Sequence, residues 1–227
     1  MDILNFISWI RGGRVVNSVD PAKTLLPVGL KDNRRDDGYL AGAISVEDFT
    51  NQVKPYKVYT ALLTQSGEDN PLSLLGQDTP SLTIGVTYQI YDDGGSGWDF
   101  TNVGAPNNDL FTYFVATGTT PASWGTNGML RYNTGAPVVT VLENTIGNVW
   151  FTYSNDGEYN INTSSIFGTD KVFTLVTNNI DVFDFGGFHS ISLLPVSTSQ
   201  IFLATGNIDG HYNDILNDTP IEIRVYN

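Results

Sequence analysis

The chain has 227 residues and no cysteine, which excludes disulfides and thiolate-bound metals. Its 41% apolar content supports a packed core, yet no apolar run approaches the ~20 residues of a membrane-crossing helix. The net charge of −13 is unevenly placed: residues 1–57 carry 8 Lys and Arg against 7 Asp and Glu, whereas residues 58–227 carry 3 against 17. The second region repels phosphate backbones, so it is not expected to bind nucleic acid. The first region has the electrostatics of a segment that docks onto something.

Residues 2–10 (DILNFISWI) place apolar side chains at 3, 4, 6, 7, 9 and 10, a pattern that fits a short amphipathic helix or a buried peptide. Gly12 and Gly13 stop any helix there. The start is a poor secretory signal, because Asp2 comes first and the arginines follow the apolar stretch. Residues 14–55 contain Pro21, Pro27 and Pro55 and no sustained period, and 45–53 predicts one or two helical turns with Ser45 at the N-cap. Residues 1–55 therefore read as an extended N-terminal docking arm with short helical pieces. Phe6, Trp9, Leu25, Leu26 and Leu40 make the arm too apolar for a free tail. Trp9, Arg11, Arg14, Arg34 and Arg35 are its expected docking residues, and Arg34-Arg35 beside Asp36-Asp37 suits reciprocal pairing between copies.

After Pro55 the pattern changes. Strands are predicted at 56–65, 81–92, 110–118, 137–144, 148–154, 157–162, 171–177, 189–196, 200–206 and 220–227, each rich in Val, Ile, Thr, Phe or Tyr. Turn signals such as DDGGSG, GTNG and NDG lie between them. Pro195 and Pro220 mark edge strands or strand ends. The expected fold is all-β: an antiparallel β-sandwich, jelly-roll-like, over 56–227. VYTALLTQSG (58–67) and VVTVLENTIG (138–147) echo each other, though two instances do not make a repeat array.

PYKVYTALLTQSG (55–67) and APVVTVLENTIGNVWFTYSNDGEYNI (136–161) resemble a motif pair found in virion structural proteins of tailed bacteriophages and related environmental viruses. Residues 9–45 resemble the attachment arm of such particle proteins. The resemblance implies a non-enzymatic virion component, assembled in the host cytoplasm: a capsid decoration or minor capsid protein, a head-fibre component or a tail-associated protein. It implies capsid or tail subunits as partners and self-association, with a trimer as one form. The heptad or triple-helical shaft of a long fibre is missing from the sequence.

Chemistry-bearing residues are few. YDDGGSGWDF (91–100) offers Asp92, Asp93 and Asp99 as hard oxygen ligands for calcium, without the register of an EF-hand; the bland reading is a solvated hairpin loop. NIDGHYND (207–214) is a weaker version of the same pattern. Glu143 and Glu158, with Trp150, Tyr153 and Tyr159 near in sequence, allow a glycosidase pair, but exposed glutamates on antiparallel strands give the same pattern. His189 and His211 lack zinc-site spacing. No nucleophile-elbow, phosphate-loop or dinucleotide motif occurs, so no enzymatic activity is expected. The rival functional signal is aromatic. Trp98 and Trp124 lie in Gly-rich stretches where binding residues tend to be presented, which supports a tail or fibre adhesin that stacks host surface glycans.

Overall fold

In a computed structural model of the chain, the described residues are 25–31, 39–45, 55–67, 73–76, 81–168, 170–177, 189–207 and 209–226, of which 25–31, 39–45, 73–74 and 92–94 are described by backbone alone. The chain divides into two units, Met1–Pro55 and Tyr56–Asn227. In the first, strands β1 (Leu25–Lys31) and β2 (Tyr39–Ser45) pair antiparallel along their whole length, from Leu25↔Ser45 to Lys31↔Tyr39. The sequence predicts no strand here, because Pro27, Gly29 and Gly42 break the alternation. A two-stranded ribbon leaves each strand an outer edge, where a residue without an N–H costs no ladder bond. Ser45, predicted as a helix N-cap, ends β2, and residues 46–54 lie outside the described residues. So do Trp9, Arg11, Arg14, Arg34 and Arg35.

The second unit is an antiparallel β-sandwich with a further sheet inserted into it. One layer runs β11 (Val172–Val176), β15 (Thr219–Tyr226), β3 (Tyr56–Thr64), β8 (Val138–Asn144). The other runs β12 (Ser190–Ser197), β13 (Gln200–Asn207), β10 (Glu158–Thr163), β9 (Val149–Asn155), with the short β14 (Gly210–His211) added to β13. The first and last strands of the unit lie side by side, from Tyr56↔Tyr226 to Leu63↔Thr219, which closes the chain on itself. The two echoing segments, 58–67 and 138–147, fall on β3 and β8, which also pair. Pro195 sits on the edge strand β12, and Pro220 is the second residue of β15.

Alternation along these strands sends every second side chain inward. Tyr59, Ala61 and Leu63 of β3 meet Phe151 of β9, Tyr159 and Ile161 of β10, Ile201 and Leu203 of β13, and Ile221 and Ile223 of β15, all buried. Full burial of each large apolar side chain contributes about 1.5–3 kcal/mol. The outward positions of β10 are Glu158, Asn160 and Asn162, half-buried and polar.

Between β3 and β8 the chain builds the third sheet, in the order β4 (Ser73–Gly76), β7 (Ser123–Tyr132), β5 (Thr87–Asp99), β6 (Tyr113–Val115). Its own core holds Tyr88, Ile90, Phe114 and Leu130 from the strands, with Leu82, Phe100, Val103 and Ala105 from the connections. Phe100 stacks on Phe114 at 6.4 Å and meets Trp124 edge-on at 5.4 Å. Contact with the sandwich includes β9, where the Phe151 N–H donates to Thr87 Oγ1 at 3.1 Å, and β8, where the Val139 N–H donates to the Gly85 carbonyl at 2.9 Å. Val115 of β6 also reaches into the sandwich core.

Each of the ten predicted segments contains a strand, though the one expected at 110–118 shortens to Tyr113–Val115, the one at 81–92 shifts, and β7 was not expected. The strand expected at 81–92 begins at Thr87 and runs on through DDGGSG to Asp99. Residues 123–132, whose GTNG was expected as a turn, form the ten-residue β7. Glycine here is a requirement of backbone approach. A Cβ on Gly95 would stand 1.6 Å from Thr126 O, and one on Gly125, at φ +58°, 2.3 Å from Ser96 O. The β5–β7 ladder shifts register between Asp92↔Gly128 and Ser96↔Thr126, a bulge that lets the strand bend without ending.

Candidate functional site

Trp98 and Trp124, expected on loops, stand directly opposite each other on β5 and β7. Both are half-buried and pack against the core of the inserted sheet. Trp98 Nε1 donates to the Asn108 carbonyl at 3.0 Å, and Asn108 Oδ1 accepts from the Phe100 N–H at 2.9 Å. The Trp124 Nε1 is buried without a hydrogen-bond partner among the described residues. The pair pins the far end of the β5–β7 ribbon, and much of its ring surface is spent on packing.

The acidic stretch is spread along a strand instead of gathered in a loop. Asp92 pairs with Gly128 and Asp99 with Ser123, five positions apart on the partner strand, which is about 17 Å at ~3.4 Å per residue. Asp92 and Asp99 therefore do not share one ion; the side chains of Asp92 and Asp93 lie outside what the structure describes. Asp99 Oδ1 instead accepts from Thr101 Oγ1 at 2.6 Å, from the Thr101 N–H at 3.0 Å and from Asn108 Nδ2 at 3.2 Å. These bonds, the Thr101 hydroxyl first, hold its carboxyl below the usual aspartate range. Among the described residues, no group of three His, Asp or Glu is placed to hold a metal.

Glu143 and Glu158 fall on different sheets: Glu143 on β8, opposite Thr60, and Glu158 on β10. Glu158 Oε1 is 2.6 Å from His211 Nδ1, so the histidine of the 207–214 loop ties that loop to the sheet. The same loop inserts Asn213, whose Oδ1 accepts from the Gly157 N–H at 2.9 Å and from the Tyr159 hydroxyl at 2.8 Å. Residues 209–214 are thus a clamp on the β9–β10 hairpin. His189 immediately precedes β12.

One feature escapes the sequence motifs. Strands β11 and β12 end their respective layers and meet, with Thr174 Oγ1 donating to the Leu193 carbonyl at 3.4 Å. Along this margin Phe173 (45%), Leu175 (51%), Leu194 (59%) and Val196 (50%) are exposed. A strand with one wet face carries polar residues on it. VFTLV and SLLPV are apolar on both faces, and that double periodicity is the signal in the sequence that points to a covered margin. Phe173 and Tyr56 also flank Arg224, whose guanidinium lies 5.5 Å and 4.9 Å from the two rings.

No family model, no curated protein and no solved structure matches the chain.

Proposed function

We propose that the chain is a non-enzymatic structural component of a virus particle, of the capsid-decoration, minor-capsid or head-fibre type, whose partners are neighbouring copies and other capsid or tail subunits. The observation that carries this reading is the apolar margin of β11 and β12. Phe173, Leu175, Leu194 and Val196 are large and exposed, and they sit on two edge strands at one side of the sandwich. Large apolar side chains exposed along one margin suit a protein contact. Pro195 removes a backbone donor from β12, which disfavours strand-to-strand addition there and favours contact through side chains. The charge division supports the same reading. Residues 1–55 balance 7 Lys and Arg against 7 Asp and Glu, whereas residues 56–227 carry 4 against 17, so the cations and apolar anchors of one copy's arm suit the acidic body of the next. The likeness of 9–45, 55–67 and 136–161 to virion proteins supplies the setting, with particle assembly in the host cytoplasm.

Light scattering after size-exclusion chromatography tests it, on the full chain, on residues 56–227, and on the full chain carrying Phe173→Ser with Leu194→Ser. The body has its own cores, so the truncation is expected to fold. A defined oligomer for the full chain, lost in both altered forms, is the expected result. An unchanged oligomer in the 56–227 fragment would remove the arm from the account, and an unchanged oligomer in the double variant would remove the margin.

A further inference from the structure

The outer face of the inserted sheet carries a row of side chains that stand outside its own core. Register places Tyr113 of β6, Gln89 of β5 and Arg131 of β7 side by side, since Gln89 pairs with both Tyr113 and Arg131. Alternation turns their neighbours Tyr88, Phe114 and Leu130 the opposite way, into the core. The row therefore faces β9, and together they form a cleft of about 160 Å³ with Phe151, Thr152 and Tyr153 on its far side and Asn133 at its end.

Arg131 is the unusual member. Its guanidinium lies flat over the Tyr91 ring at 3.3 Å, which orients the fork and shields one face from water. It is half-buried, and among the described residues it has neither an ion pair nor a hydrogen bond. Residues 56–227 contain 17 Asp and Glu against 4 Lys and Arg. Arg224, by contrast, is paired with Glu222. In a body with so many carboxylates, none is among the described residues that line the cleft around Arg131. Holding a guanidinium out of bulk water without a counter-charge is unfavourable, and an incoming anion relieves that cost.

The remaining lining narrows the anion. A single planar fork matches a planar carboxylate in bidentate fashion, and no second cation is among the described residues that line the cleft to favour a phosphate dianion. Gln89 offers an amide with no side-chain partner among the described residues, and Thr152 a hydroxyl that accepts from Asn162 Nδ2 at 3.1 Å and still has its own proton to donate. Tyr113 is braced by parallel stacking on Trp150, with centroids 5.8 Å apart and planes 6° apart, and so presents a fixed ring edge. Tyr153 is held by its hydroxyl donating to Asp156 Oδ1 at 2.7 Å. Rigid aromatic rings beside amides and a hydroxyl suit a ligand with C–H faces and many hydroxyls. The cleft is smaller than the ~300–1,000 Å³ that accepts drug-sized molecules, which fits one ring. From this juxtaposition we infer that the Arg131 cleft binds the carboxylate-bearing sugar residue of an acidic glycan, with Arg131 on the carboxylate and Gln89 and Thr152 on the hydroxyls.

The site is separate from the Trp98–Trp124 pair and from the β11–β12 margin, so it stands or falls independently of the assembly proposal. The test is calorimetric titration of the full chain with glucuronic acid and N-acetylneuraminic acid, alongside glucose, acetate and inorganic phosphate. Saturable binding of a sugar acid is expected, with glucose at least ~10-fold weaker because it lacks the carboxylate, and acetate and phosphate at least ~10-fold weaker because they lack the ring and its hydroxyls. Arg131→Ala should weaken the sugar acid by ~10-fold or more, and Arg131→Lys should recover part of it, since the bidentate geometry is lost but the charge is kept. Trp98→Phe should leave the affinity unchanged. The thermal melt of each variant confirms that it is folded. The inference is overturned if neither sugar acid binds at millimolar concentration. It is equally overturned if phosphate or acetate binds as tightly as the sugar acid, or if a folded Arg131→Ala retains full affinity.

Discussion

The sandwich and the sheet inserted into it solve the same problem by different means. In the sandwich, strands such as β10 and β15 alternate strictly, and their buried side chains interlock across two layers. The inserted sheet has one layer. It covers its inner face with its own connections, Phe100, Val103 and Ala105, and bends two long strands around them. Bending without breaking requires bulges and close backbone approach, so glycine occupies places where the sandwich has Val or Ile. The lesson is that a Gly-rich segment can be the interior of a strand when a second backbone passes at the distance a Cβ would need.

Substitutions in the sandwich and in the inserted sheet should act on separate cores. The largest effect is expected in the sandwich, where Phe151 is fully buried: Phe151→Ala should cost about 3–5 kcal/mol, read as a large drop in the denaturant midpoint of the whole 56–227 unit. Gly125→Val forces a branched side chain onto φ +58° against Ser96 O and Trp98 N, and should cost about 1–3 kcal/mol. Its signature is local: tryptophan fluorescence from β5 and β7 should change at lower denaturant than the far-ultraviolet β signal. Coincident transitions would mean that the two cores unfold as one, and the distinction drawn here would not hold.

A smaller effect of opposite sign is expected at Tyr59. Its hydroxyl is buried with no hydrogen-bond partner among the described residues. Tyr59→Phe should raise stability by about 1 kcal/mol, measured by equilibrium denaturation. Burial pushes the phenols of Tyr59 and Tyr159 upward from the ordinary value of 10.0. The folded state therefore keeps protons that the unfolded chain releases. The stability from the neutral phenols is fully present below about pH 10 and declines as pH rises above it. Melting temperature against pH should fall on the alkaline side, and Tyr59→Phe should reduce the slope. The smallest effect concerns Asp99. Its carboxyl is depressed, so its contribution is present above the ordinary aspartate value of 3.8 and disappears as pH falls through the lowered one. Asp99→Asn should flatten the acid limb of the Trp98 and Trp124 fluorescence titration without moving the alkaline one.

The legible part of the molecule is the part with period two. Segments such as KVYTALL and EYNINT carry their burial in the alternation, because successive side chains on a strand must point to opposite faces. The boundary at Pro55 is likewise visible, where Pro and Gly give way to β-branched and aromatic residues. Strand β7 was hidden because SWGTNGM has the composition of a turn, and the second half of β5 because DDGGSG interrupts the strand pattern. Trp98 and Trp124 looked like loop residues for the same reason.

Composition and alternation were sufficient for the all-β class, the two-part charge division and most strand positions, since these follow from local preference and from which face of a strand is apolar. Pairing partners were not. That Trp98 meets Trp124, that Asp92 and Asp99 are held apart, that Glu143 and Glu158 lie on different sheets, and that Gln89, Tyr113 and Arg131 share one row all depend on register between strands far apart in sequence. Register is set by the fit of whole faces and by where a bulge falls, and no short window of residues contains that information.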